Sequence, residues 1–299
     1  MKNIRTDLAL EAREIWQEDA DDQTQLSGVI ARERKINGMT VSRVKIVNEE
    51  GVRNLNKPIG NYSTVELNGV ARRDEDVFPR AIQAVAGELA PMLPKGGGCV
   101  LVVGLGNSGI TPDAVGNNAV EHVMVTRHLV ERMPDMFGTL RPVSAIAPGV
   151  LGMTGVESRE IIEGVANHIK PDCIIVIDAL ASCKLSRLCK TIQITDTGII
   201  PGSGVGNARA AINKETMGIP VVAMGVPTVV DIRTIVKDIA ESAKVTLPDT
   251  VLEEYGSQLM VTPKEIDVHI SDVGRIIGYA INTVLQKGVS IADMDIFLS

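Results

Sequence analysis

Two aspartates carry the residue type from which a hydrolytic site could be built. Asp113 stands in Thr111-Pro112-Asp113, after an apolar run, Cys99 to Val103, and a glycine-rich turn, Gly104-Leu105-Gly106-Asn107-Ser108-Gly109. Asp178 is the first residue past a second apolar run, Asp172 to Ile177. Short apolar runs bounded by turn signals read as strands buried on both faces. In an open α/β sheet, sites form outside the carboxyl ends of such strands. If the two strands are neighbours, their carboxyl groups meet at one edge. Like charges a few Å apart do not both ionise at low cost, so one group stays protonated while the other stays charged. That pair supplies a general base to activate water and a general acid to protonate a leaving amine. Each aspartate also has a plainer reading. Asp113 can offset the dipole of a helix capped by Thr111, and Asp178 can cap the helix expected across Ala179 to Cys189.

Other motifs point less clearly. Gly104 to Gly109 has the GxGxxG spacing of a dinucleotide turn after a strand, but the acid needed about 20 residues on falls at Glu121, inside an expected helix, so no cofactor is expected. Asp196-Thr197-Gly198 matches the tripeptide of two-lobed aspartic proteases, without a second copy. Asp196 is therefore either a third acid on the rim or a turn former before glycine. Ser203 lies in Gly202-Ser203-Gly204, which is not the GxSxG elbow. The histidines are scattered with no HExxH, and His128 could face the cleft from a helix that starts in the site. The four cysteines form no CxxC pair and read as small buried hydrophobes.

The elements that must position these residues follow a βαβα pattern from Cys99 onwards. Helices are expected from Asp113 towards Arg132, over Glu157 to His168 and from about Val229 to Lys244. Strands are expected over Pro142 to Ala147, Thr191 to Thr195 and Pro220 to Met224. Ahead of them, Met39 to Val47 and Asn61 to Asn68 alternate as strands of an antiparallel addition, and Asp74 to Leu93 reads as a helix with Val77, Ala81, Val85 and Leu89 on one face. Thr262 to Glu265 is a capping box for a last helix that carries Ile266, Ile270, Val273, Ile277 and Ile281 and stops near Gly288. Asp19 to Gln25 is a polar break, and Val245 to Gly256 is the stretch with the weakest structural signal. The fold class expected is α/β: a mostly parallel sheet covered by helices on both faces, with an additional antiparallel N-terminal strand region.

Composition bounds the partners. A formal charge of −7 argues against a nucleic-acid backbone as the main partner, and 2% aromatics leave few rings for base stacking. No apolar run reaches the length of a membrane span and the N-terminus lacks a signal peptide's apolar centre, so a cytoplasmic location is expected.

With these residues in view, the chain resembles the germination proteases of spore-forming bacteria. The resemblance runs through RTDLALEA (Arg5 to Ala12), GLGN and TPDAVG (Gly104 to Gly116), VTRHL (Val125 to Leu129) and RPVSAIAPGVLGMTG (Arg141 to Gly155). It continues through KPDCIIVIDALA (Lys170 to Ala181), TIQITDTGIIPGSGVGN (Thr191 to Asn207), GIPVVAMGVPTVVD (Gly218 to Asp231) and LMVTPKEID (Leu259 to Asp267). It implies an atypical aspartic protease on an α/β fold, with no required metal, that degrades small acid-soluble spore proteins during germination in the spore core. It also implies a homotetrameric zymogen that trims its own N-terminus. The family's two catalytic acids lie in TPDA and IDAL contexts, which map onto Asp113 and Asp178. Thr6-Asp7-Leu8-Ala9 is similar to the acidic-then-apolar site cut in the family's substrates, so self-cleavage is expected between Asp7 and Leu8. Residues 1–7 then form a short propeptide and 8–299 a single α/β peptidase domain.

Gly104 to Asn107, with Gly106 between them, and Pro201 to Asn207 are expected as walls of the peptide groove, with backbone N–H groups able to polarise a carbonyl. Two other readings differ in kind. A metal-dependent peptidase would use Asp113, Asp178 and His128 as ligands, and a sheath protein would hold spore proteins without cutting them.

Overall fold

The computed structural model describes residues 6–19, 26–245 and 259–299. Positions 1–5 of the expected propeptide, the polar break over 20–25, and 246–256 of the stretch with the weakest signal lie outside them.

Among the described residues, nine strands form one sheet in the order β1-β2-β3-β7-β8-β6-β4-β5, with β9 added to β8. They are β1 Val29–Ile36, β2 Met39–Ile46, β3 Gly60–Glu66, β4 Val100–Gly104, β5 Val143–Ile146, β6 Cys173–Ser182, β7 Thr191–Thr195, β8 Val221–Asp231 and β9 Met260–Val261. The pairs β4–β5, β4–β6 and β6–β8 are parallel. The pairs β1–β2, β2–β3, β3–β7, β7–β8 and β8–β9 are antiparallel. The sheet is thus mixed, with a parallel core, and the N-terminal hairpin is continuous with it through β7. β7 runs antiparallel to the core strands because only residues 183–190 link it to β6, too little chain for the crossover that a parallel strand needs.

Helices pack against this sheet by the alternation of its side chains. Val100, Val102, Ile175 and Ile177 share an apolar cluster with α3 (Val77–Leu89), α4 (Val115–Glu121) and the long α8 (Ile266–Leu285). The intervening Leu101, Val103, Ile174 and Val176 share another with Ile162 and Ala166 of α6 (Ser158–Ile169). A third joins Ala9 of α1 (Ala9–Asp19) and Leu55 of α2 (Glu49–Leu55) to Val44, Ile46 and Tyr62.

Several local expectations are corrected. The helix expected from Asp113 to Arg132 is two pieces, α4 and α5 (Arg127–Arg132). The chain between them is drawn into the core: Val123 and Met124 are buried, and Asn282 of α8 accepts the Met124 N–H at 2.9 Å. Thr262 does not cap α8; its hydroxyl donates to the Thr228 carbonyl at 2.9 Å, and the helix begins at Ile266. The helix α7 (Ile232–Ser242) starts later than expected because β8 runs on to Asp231. Cys183 and Cys189 are buried in a turn rather than on a helix, Cys99 is only half-buried and lies just ahead of β4, and all four cysteines are free thiols.

Glu88 ties α3 to the antiparallel half. It is buried, accepts both Arg43 Nε (2.8 Å) and Arg43 Nη2 (2.6 Å), and takes the Ser63 hydroxyl at 2.7 Å. Burial alone would raise its pKa; the Arg43 guanidinium and Ser63 hydroxyl outweigh that and hold it below the usual value. A depressed carboxylate pKa stabilises the fold above the unfolded-state value and loses that contribution as pH falls through the folded one. Glu88→Gln is therefore expected to cost about 1.5–3 kcal/mol at pH 7, the range for hydrogen bonds to a charged group. The difference from wild type should shrink in denaturant melts under acid conditions.

Candidate active site

The site exists because β4 and β5 stop while β6 continues. β4 ends at Gly104, level with Ile177 of β6, and the Leu105 N–H still donates to the Ile177 carbonyl at 2.8 Å. β6 runs on beside β8 as far as Ser182. Asp178 is thus the first residue of β6 that β4 no longer covers. It lies within the strand rather than past its end, and no helix follows for it to cap. Its Oδ1 instead accepts the adjacent Ala179 N–H at 2.9 Å, and the residue is only 5% exposed.

Asp113 reaches the same edge through a folded turn. Thr111–Asp113 is one turn of 3-10 helix whose N-cap position falls on Ile110 rather than Thr111. Gly106 adopts φ +107°, and a Cβ there would overlap the Asp113 carbonyl. This close approach lets the Asn107 N–H donate to Asp113 Oδ2 at 2.8 Å. Gly116 then lies against the carbonyls of Leu105 and Ile177, where no side chain fits. Gly104 has a similar packing role, since α4 crosses it at Gly116 and Val120.

Burial raises the pKa of both acids, by different amounts. The Asp178 carboxyl is pushed well above the usual range, first by burial, then by the charge of Asp113 and, to a smaller extent, that of Asp7; the Ala179 N–H opposes the shift. Half-buried Asp113 is raised by burial and held back by the Asn107 N–H. Of the two, Asp178 is pushed further towards its protonated form, and the charge of Asp113 adds to that shift.

Both acids line a cleft of about 600 Å³ whose walls include Gly106, Asn107 and the Gly202-Ser203-Gly204 turn. Ile110, Val150, Leu151, Ile200, Val205 and Met260 make much of the remaining lining apolar. The chain's own N-terminal segment enters here. The Asp7 N–H donates to the Ala181 carbonyl (3.1 Å), and its carboxylate accepts the Ala181 N–H (2.9 Å) and the Ser203 hydroxyl (2.8 Å). A Cβ on Gly204 would overlap that carboxylate. A second cavity of about 500 Å³ shares Asp7 as lining and is bounded also by Lys57, Tyr62, Gln193 and Thr195. Lys57 Nζ donates to the Thr6 carbonyl at 3.3 Å; burial lowers its pKa, and the charges of Asp7 and Glu11 oppose this. Leu8 is fully buried.

Glu11 anchors this segment. Fully buried, it accepts the Ser182 hydroxyl (2.5 Å) and the Cys183 N–H (2.7 Å), takes the Thr6 hydroxyl, and pairs with Arg187 at 3.3 Å.

Not every expected residue belongs to the cleft. His128 does not line it. The chain before α5 returns to the amino end of the parallel strands, where Thr126 donates to the carbonyl of Val143, the first residue of β5. Asp196 is likewise outside the cleft; its carboxylate takes the backbone and side-chain N–H groups of Asn61 (2.8 and 2.6 Å) and fixes the start of β3. Among the described residues, no three His, Cys, Asp or Glu side chains converge as metal ligands would. No helix described is long and apolar enough to cross a membrane. Gln193, Lys57 and Glu11 were not legible as site residues in the sequence. The available signal was a lone amide inside the otherwise strand-like Thr191 to Thr195.

Comparison with known proteins adds a family. A family model described as germination protease matches residues 9–242 and 235–298. A curated protein named germination protease from Caldanaerobacter subterraneus subsp. tengcongensis is 45% identical over 98% of this chain and 97% of its own length. Its namesake from Clostridium perfringens is 43% identical over the whole of both chains. One from Bacillus cereus is 38% identical over 96% of this chain and 95% of its own.

Proposed function

Because this chain belongs to the germination protease family, we propose that it is an endopeptidase of small acid-soluble spore proteins, acting through Asp113 and Asp178 and made as a zymogen that cuts itself between Asp7 and Leu8. The observation that carries this reading is the docking of Asp7 in the cleft that holds both acids, near enough that its charge bears on Asp178.

In this mechanism Asp113, the ionised partner, takes a proton from water. The water oxygen bonds to the scissile carbonyl carbon. As the carbon–nitrogen bond breaks, Asp178 gives its proton to the leaving amine, and solvent exchange resets the pair. The groups titrate as a pair, so a bell-shaped pH profile is expected. Activity falls on the acid side as Asp113 is protonated and on the alkaline side as Asp178 ionises. Assembly as a homotetramer in the spore core belongs to the same proposal and rests on family membership.

The processing step has a direct test. After incubation under activating conditions, N-terminal sequencing is expected to begin at Leu8. A chain that cuts added spore protein yet keeps Met1 would remove self-processing from the account.

A further inference from the structure

The groups that hold the docked segment are distinct from the two acids. Gln193 of β7 pairs in register with Gly225 of β8, and Gly225 pairs with Asp178 of β6. Side chains of directly paired residues project from the same face of a sheet. Gln193 and Asp178 therefore rise from one face two strand spacings apart, roughly 10 Å. Between them lies a glycine, covered by the Leu180 side chain, where a Cβ would not fit. The segment passes over this floor.

Its contacts are those of a bound peptide. Gln193 Nε2 donates to the Asp7 carbonyl at 3.2 Å, and Oε1 accepts the Ala9 N–H at 2.8 Å. One side-chain amide thus brackets the Asp7–Leu8 bond. Gln193 is only 6% exposed, so loss of these partners would leave a buried amide unsatisfied, which is costly. The Asp7 carboxylate has its own receptor in the Ser203 hydroxyl and the Ala181 N–H, with space provided by Gly204.

We infer that Gln193 and Ser203 are the substrate-reading residues of this site. Ser203, with the Ala181 N–H, binds the carboxylate of an acidic residue immediately before the bond to be cut. The Gln193 amide grips that residue's carbonyl and the N–H two residues later. The ligand class is an extended peptide with an acidic residue followed by an apolar one. This rests on the functional reading above, in which Asp7–Leu8 stands as the bond that is cut.

The test uses the full chain and two synthetic ten-residue peptides containing Thr-Asp-Leu-Ala or Thr-Asn-Leu-Ala, with kcat and KM measured separately. Wild type is expected to cut the first between Asp and Leu and to prefer it over the Asn peptide. Ser203→Ala should shrink that preference about tenfold through KM, the effect of losing one hydrogen bond to a charged group. Ser203 is on an exposed turn, so this variant is expected to fold. Gln193→Leu should lower kcat on both peptides by about 10²–10³-fold, as removal of one donor from a reacting carbonyl does, with the preference for Asp kept. An unchanged Asp preference in Ser203→Ala overturns this inference and leaves the proposed function standing. A wild type that cuts neither peptide overturns both.

Discussion

Asp178→Asn is expected to abolish cleavage and yet make the protein more stable at neutral pH. Loss of a positioned proton donor costs about 10²–10⁴ in rate, and here the larger figure applies because Asn carries no transferable proton. The stability gain comes from the same burial. Asp178 is 5% exposed, and its carboxyl group is disfavoured as an anion by that burial and by Asp113. A carboxyl group whose folded-state pKa is raised contributes stability fully below the unfolded-state value. It loses that contribution as pH rises through the folded value. Near neutral pH the wild type therefore bears a penalty that Asn does not. A gain on the order of 1–2 kcal/mol is expected, the trade of stability for function common at active sites. Thermal melts should show Asp178→Asn a few degrees above wild type at pH 7 and level with it near pH 3.5. A variant that is less stable at both pH values would show that Asp178 is held by hydrogen bonds that also favour its anion.

The second large effect is expected at Glu11. Its carboxylate gathers Ser182, Cys183, Thr6 and Arg187 in a site with no solvent access. In Glu11→Ala the Cys183 N–H loses its acceptor. Arg187 keeps Glu14, to which it is bonded at 2.9 and 2.5 Å, so its charge is not left alone. The cost is expected at about 3 kcal/mol, the lower end for breaking a buried ion pair. It should fall on the N-terminal segment, because α1 and residues 6–8 depend on this anchor while the parallel core does not. Hydrogen exchange is expected to rise over residues 6–19 with β4 and β6 unchanged, as in local unfolding. Self-cleavage at Asp7–Leu8 should slow in parallel, since the anchor is what delivers Asp7 to the cleft. Uniform loss of protection across the sheet would mean that Glu11 supports the whole fold instead.

What the sequence made legible follows from how local each signal is. The buried strands β4 and β6, the α6 helix and the apolar stripe of α8 rest on periodicity within one element. The Asn37-Gly38 turn, with φ of 51° and 81°, is a strong hairpin signal, but the strand before it carries little periodicity of its own. β1 is an edge strand carrying Arg32, Glu33, Arg34 and Lys35, and charge on an edge hides the alternation that marks a half-buried strand. β6 runs on to Ser182, past the point where the apolar pattern of the sequence ends it. A charged residue normally closes an apolar strand, but Asp178 stays inside this one, the kind of local rule that sites break. The acids could be singled out because each follows an apolar run directly. Gln193 and Glu11 could not, because their partners lie 184 and 172 residues away in the chain.

The most direct measurement of the central claim is cleavage of a small acid-soluble spore protein by wild type, Asp113→Asn and Asp178→Asn, each verified as folded, with and without a chelator. The account predicts that both variants are dead and that the chelator leaves wild type unaffected. A folded variant that still cuts, or a wild type silenced by the chelator and restored by one divalent ion, would contradict it.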